Sequence, residues 1–174
     1  MPALLLTIES ASDASRLSAL YERCRGPMFR AAMKVLRQRD DAEDAVQQAF
    51  LAVLRHRELL RSDDPRLVTA TLVLLAEQKA VDLLRTSHRD RQVPLEEDRL
   101  PGVAIPPPET SPLADALARL PVQYRTVLLL RYVAGYEIQE LAQLLDSRPS
   151  AIKKRLQRAK QALEQALREE GSEE

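Results

Sequence analysis

Glu137-Ile138-Gln139-Glu140-Leu141-Ala142-Gln143-Leu144-Leu145, then Asp146-Ser147-Arg148, then Pro149-Ser150-Ala151-Ile152-Lys153-Lys154-Arg155-Leu156-Gln157-Arg158-Ala159-Lys160 is the stretch that decides the fold. A short apolar-periodic segment, a brief turn and a longer segment opening on Pro have the length and pattern of a helix-turn-helix. At about 100° per residue, Ile152, Leu156, Ala159 and Leu163 share one stripe of the second helix, which must pack inward. Ser150, Lys154, Gln157, Arg158 and Gln161 fall on the opposite face, and Lys153, Arg155 and Lys160 flank the stripe. Cationic groups suit phosphates, and amide or guanidinium groups suit base edges, so this face has what a helix entering a major groove needs.

Charge distribution sharpens that reading. The chain of 174 residues is neutral overall, with 26 basic and 26 acidic residues. Between Arg148 and Lys160 lie six basic residues and no acid, whereas Asp40 to Asp44 holds three aspartates, one glutamate and no base. A globally basic nucleic-acid binder does not look like this; a neutral chain with one basic and one acidic block suggests two different partners. The bland alternative for the basic segment is an amphipathic surface helix with solvated charges. The acid-free run, together with the preceding short helix and turn, favours DNA binding.

Outward from this segment, almost everything reads helical: Leu, Ala, Arg, Gln and Glu dominate and no strand alternation appears. The obvious break is 93–112, where six prolines and one glycine exclude a continuous helix. We therefore expect an all-α chain of two small helical domains, 1–92 and 113–174, joined by a Pro-rich linker over 93–112. The first domain should hold helices near Ser12–Cys24, Pro27–Leu36, Asp40–Glu58 and Asp64–His88. Asp40 is expected to cap the third, and Asp64-Pro65 to cap and open the fourth. The second should hold Pro112–Arg119, Pro121–Val133, Ile138–Leu145 and Pro149–Arg168.

With these elements in place a family is recognisable. Leu120-Pro121-Val122-Gln123-Tyr124-Arg125-Thr126-Val127-Leu128-Leu129-Leu130-Arg131-Tyr132-Val133-Ala134-Gly135-Tyr136, then Ile138-Gln139-Glu140-Leu141-Ala142 and Ala151–Lys160, resembles the C-terminal DNA-binding region of bacterial sigma factors, nearest the extracytoplasmic-function class. The resemblance implies that the last helix reads the upstream promoter element. Lys153, Lys154, Gln157 and Arg158 take the contacting positions, with Arg148, Ser150 and Arg155 completing the DNA-binding set. Asp146 stands where the family usually has Gly, and Asp tolerates a left-handed backbone better than most residues.

In the first domain, Asp40-Asp41-Ala42-Glu43-Asp44-Ala45-Val46-Gln47-Gln48-Ala49-Phe50-Leu51, with Leu20-Tyr21 and Arg25-Gly26-Pro27-Met28-Phe29-Arg30, resembles the family's polymerase-binding region. That resemblance implies docking on the coiled-coil clamp of the largest subunit of core RNA polymerase. The helix count alone supports a partner surface. Ala42, Ala45, Val46, Ala49, Phe50 and Val53 form an inward stripe, and Asp41, Asp44, Gln47, Gln48 and Leu51 lie on the other side. Apolar side chains beside carboxylates on an outward face suit a partner; otherwise Leu51 and Leu54 pack under the first helix or the linker.

The fourth helix, by the same resemblance, captures the downstream promoter element. The family's Trp-Leu-x-x-Ile-Ala-Arg-Asn-x-x-x-Asp-x-x-Arg frame survives here through Leu72, Ala76, Asp82 and Arg85, while Thr71, Glu77 and Gln78 replace Trp, Arg and Asn. Gln78, Lys79, Asp82, Arg85, His88 and Arg89 are the expected contacts. Glu77 is expected to set a carboxylate near phosphate and Thr71 to remove a stacking ring, which leaves open weak promoter melting or a sigma-like protein without efficient melting.

Other classes are weakly supported. His56 and His88 are far apart, Cys24 stands alone, and no His/Cys spacing suits zinc, so we expect no enzyme, metal or cofactor. Four glycines form no phosphate loop, and Asp40–Asp44 lacks calcium-loop spacing. No apolar run is long enough to insert in a membrane, and the apolar start lacks a basic leader, so a cytoplasmic protein is expected. The resemblance further implies an anti-sigma factor as regulator. A sigma mimic that titrates such a regulator and a stand-alone helix-turn-helix regulator are the remaining alternatives.

Overall fold

The computed structural model describes residues 11–56, 64–90 and 111–170, and among them it is all-α. Seven helices follow in order among these residues: α1 (Ala11–Leu36), α2 (Arg39–Arg55), α3 (Pro65–Asp90), α4 (Pro112–Arg119), α5 (Val122–Tyr132), α6 (Ile138–Leu144) and α7 (Pro149–Glu170). By packing, the chain divides into two compact units, Met1–Ala80 and Val81–Glu174. The division falls inside α3 and not at the proline-rich stretch. The linker expected over 93–112 lies outside the described residues except for its last two, Ser111 and Pro112, which open α4.

In the first unit, the two helices expected over Ser12–Cys24 and Pro27–Leu36 are one. Pro27 sits within α1, and the helix continues through it. The interior Pro forfeits one backbone hydrogen bond, but Cys24, Met28, Ala31, Ala32 and Val35 keep a continuous buried stripe across it. The helix ends on Arg37 with φ of 60°, its N–H donating to the Met33 carbonyl at 3.1 Å, a left-handed cap. α2 then starts one residue earlier than expected. Gln38 is its N-cap and makes no side-chain cap bond, so Asp40 lies in the first turn, where its charge suits the helix dipole without capping. The far end expected for this helix, Glu58, lies outside the described residues. α1 packs along α2, and Tyr21 meets Phe50 edge to face at 5.0 Å and 71° between ring planes. α3 opens as expected, with the Asp64 carboxylate accepting from Arg66 N–H at 2.9 Å. From Thr71 to Gln78 it is buried on every side, and Thr69 Oγ1 lies 3.5 Å from Cys24 Sγ of α1.

In the second unit, Ser111 caps α4 by accepting from Ala114 N–H at 3.2 Å, with Pro112 in the first turn. α7 packs against α4, α5 and α6. It buries Ile152, Leu156, Ala159 and Ala166, close to the stripe read from the sequence. Within this unit the Arg85 guanidinium, near the end of α3, donates to Gln123 Oε1 of α5.

Candidate nucleic-acid and protein interfaces

Local bonds shape the helix-turn-helix at both of its bends. Gly135, φ 79°, turns the chain after α5, and Arg131 donates to the Tyr136 carbonyl at 3.1 Å and to Glu137 Oε1 at 3.2 Å, tying the end of α5 to the start of α6. Glu140 accepts from the Glu137 N–H at 2.8 Å, one arm of a capping box. α6 closes with Ser147 N–H donating to the Ala142 carbonyl at 2.8 Å and Asp146 N–H to the Gln143 carbonyl at 3.3 Å. This pair of bonds is a Schellman motif, and it requires a left-handed residue at Asp146, whose φ is 49°. The turn aims α7 away from α6 at Pro149.

On α7, Ser150, Lys153, Lys154, Gln157 and Arg158 are exposed on the surface of the unit, as is Arg148 just before it. No carboxylate interrupts the run between Asp146 and Glu164. The seven residues named from the sequence therefore fall together, with one distinction: Arg155 is half-buried and has a protein partner. Lys160, part of the basic block, lies 5.2 Å from the centre of the Tyr132 ring. Tyr132 at 58% exposure and Val133 beside it were not singled out from the sequence. A Tyr that follows the apolar run Val127–Leu130 by two residues reads as core until the packing is seen.

On α2, the six inward positions are buried as expected, and Ala52 and Leu54 join them. Asp41, Asp44 and Gln47 are exposed, Gln48 donates to Asp44 Oδ2 at 2.9 Å, and Leu51 is 39% exposed among them. The two leucines thus part company: Leu54 belongs to the core and Leu51 to the outward face.

On α3 the sequence reading needs correction. Gln78 is 2% exposed and Glu77 1% exposed, and Thr71 is buried with them. Gln78 does not offer its side chain to DNA, and Glu77 does not set a carboxylate beside a phosphate. The reason is the burial of α3 on all sides over this stretch, which the family frame does not reveal. Lys79, Asp82, Arg85 and His88 are partly exposed. Asp82 lies 3.6 Å from Arg85, and the Arg89 side chain lies outside the described part. Among the described residues no His, Cys, Asp and Glu group could hold a metal ion, and no helix is long and apolar enough to cross a membrane.

Comparison with known proteins agrees with this geometry. Residues 20–90 match the family Sigma-70 region 2, and residues 111–163 match Sigma-70, region 4. The chain is 30% identical over 169 residues to the ECF RNA polymerase sigma factor SigL of Mycobacterium tuberculosis, covering 93% of this chain and 94% of that one. It is 30% identical to SigM of the same organism, covering 94% and 83%, and 28% identical over 133 residues to RNA polymerase sigma factor SigV of Bacillus subtilis, covering 75% and 78%. A solved chain, the sigma factor RpoE in complex with the anti-sigma factor NepR from Bartonella quintana, aligns with 18% identity and a TM-score of 0.44, covering 91% and 98%. With both sigma regions present in order, and two relatives 30% identical matched over 94% and 83% of their length, the chain belongs to the extracytoplasmic-function class of sigma-70 factors, which direct RNA polymerase to promoters.

Proposed function

We propose that the exposed face of α7 reads the upstream promoter element, that the outward face of α2 docks on core RNA polymerase, and that the surface end of α3 meets the downstream element. The observation that carries this reading is the acid-free face of α7 presenting Lys153, Lys154, Gln157 and Arg158 to solvent while Ile152, Leu156 and Ala159 of its apolar stripe are buried. Arg158 and Gln157 suit base edges and Lys153 and Lys154 suit phosphates; Arg148 and Ser150 sit at the helix start, where the backbone of the duplex passes. On α2, Asp41, Asp44, Gln47, Gln48 and Leu51 offer carboxylates around an apolar centre to a basic partner helix. On α3, the contact set is Lys79, Asp82, Arg85 and His88, with Arg89 beyond them. The chain acts by binding in the cytoplasm, with no chemistry of its own and no cofactor, under the control of an anti-sigma factor.

The test is run-off transcription with purified core polymerase and promoter fragments. Lys154→Ala with Arg158→Ala should abolish promoter-dependent transcript while leaving core binding intact, and Asp44→Lys should abolish both. Transcript surviving the α7 double substitution overturns the assignment. A second reading, a polymerase-binding protein with poor promoter opening, is favoured by the lack of any Phe, Tyr or Trp on α3 to stack a flipped base. Stable polymerase binding with no transcript from any duplex promoter would establish it.

A further inference from the structure

α1 carries a row of cations on the side turned away from its packing. Arg16, Arg23, Arg30 and Arg37 recur at every seventh residue, and Lys34 stands one turn beyond Arg30. At about 100° per residue all five fall within about 40° of Arg23, while the buried Cys24, Met28 and Val35 lie about 100° or more round the helix. All five are exposed. Glu22 is the one carboxylate between Arg16 and Arg37, and it lies about 100° from Arg23. Two features separate this row from ordinary solvated charge. First, Arg39 and Arg168 take carboxylates of their own helices, Glu43 at 3.0 Å and Glu164 at 2.5 Å, whereas none of the five has such a partner among the described residues. Second, the backbone accommodates the row. Arg37 keeps a long cation at φ 60°, where Gly would bear no strain. Gly26 leaves room for the Arg30 guanidinium, whose Nη1 lies 3.5 Å from where a Cβ would stand, so this side chain runs back along the helix towards Arg23. Repulsion between like charges one turn apart, as at Arg30 and Lys34, destabilises α1 until an anion meets the row.

We propose that this face of α1 binds the phosphate backbone of duplex DNA, a contact separate from those assigned to α2, α3 and α7 and independent of them. A regular row of cations selects a regular polyanion. From Arg16 to Arg37 the row spans about 30 Å at about 1.5 Å per residue, close to one turn of duplex, about 34 Å. Laid along a duplex, it passes the backbones of both strands. The residues between the cations on this face are Ala19, Gly26 and Pro27. None is an aromatic ring that could stack an unpaired base, which sets single strands aside. None projects far enough to enter a groove, so the contact is with phosphates and carries no sequence preference. The chain acts on promoters, and a duplex is the polyanion that this activity brings alongside it.

The experiment titrates the full chain with a duplex of arbitrary sequence, about three helical turns long, at several salt concentrations. Affinity for purified core polymerase and helical content are the controls. Arg23→Gln with Arg30→Gln should weaken duplex binding about tenfold at low salt and lower the slope of log affinity against log salt by about two. Arg16→Gln with Lys34→Gln should do the same, and Arg23→Lys with Arg30→Lys should keep both affinity and slope. Arg25→Gln with Arg39→Gln changes net charge equally, on the same unit but off the row, and should leave duplex binding as it was. Equal losses from pairs on and off the row would assign the effect to net charge and overturn the proposal, as would no loss from either glutamine pair on the row. A loss confined to a single strand of the same sequence, or to core polymerase, gives this face to another partner and overturns it too.

Discussion

Asp146 and Arg37 are the non-glycine residues with positive φ among those described, and each ends a helix. A Cβ in the left-handed region costs roughly 1 kcal/mol, less for Asp, whose short polar side chain can bond locally. At Asp146 the cost is offset by the two Schellman bonds that free α7 to leave in a new direction. Asp146→Gly should therefore keep the turn and stabilise the second unit by up to about 1 kcal/mol, while Asp146→Val should destabilise it by about 1–2 kcal/mol. Urea unfolding followed by far-UV dichroism measures both, and equal midpoints for Gly and Val would show that the turn bears no strain. On the helix beyond, the proposed roles of Lys154 and Arg158 differ, phosphate for the one and base edge for the other. Lys154→Ala should weaken binding to every duplex alike and lower the salt dependence by about one counterion. Arg158→Ala should cost about 1–3 kcal/mol, chiefly on the cognate site. Duplex titrations at several salt concentrations distinguish the two, and identical behaviour on cognate and unrelated DNA would remove Arg158 from base reading.

At the scale of elements, legibility in the sequence followed the physics of each helix. α7 and α2 were readable because each has one apolar stripe and one polar face, so periodicity alone orients every side chain. α3 was readable in position and unreadable in orientation: Leu72 to Leu75 offer no polar side, and the family frame led to Gln78 and Glu77 as surface residues although both are buried. α1 shows the opposite failure. Gly26-Pro27 is a strong break signal, yet tertiary burial of Met28 and its neighbours overrides it. A helix that carries Pro in its interior gives up hydrogen bonding and propensity worth up to about 3 kcal/mol relative to Ala. Pro27→Ala should consequently raise the stability of the first unit by about 1–3 kcal/mol. Gly26→Ala should add about 0.5–1 kcal/mol, since the new Cβ would meet only the Arg30 guanidinium, at an ordinary 3.5 Å. Thermal melts of the single and double variants test this, and a lower midpoint for Pro27→Ala would mean that the proline shapes α1 in a way the packing needs.

For the molecule as a whole, zero net charge is divided between an acidic block at Asp40–Asp44 and an acid-free basic block from Arg148 to Lys160. On the proposed role of α7, a few phosphate contacts would give weak, salt-sensitive DNA binding, and docking on polymerase would supply the remainder by raising the local concentration of α7 at the promoter. α3 carries no Phe, Tyr or Trp, and the position of the family's Trp is a buried Thr71. A stacking contact with a flipped base is worth about 1–3 kcal/mol, so under the proposed role of α3 its loss would fall on the opening step and spare the closed complex. A promoter already mismatched over the downstream element removes that step. The transcript from such a template should exceed that from the matched duplex by about tenfold or more, with polymerase affinity unchanged. Run-off transcription from paired templates measures the ratio, and equal yields would show that Lys79, Asp82, Arg85 and His88 open the duplex without an aromatic partner.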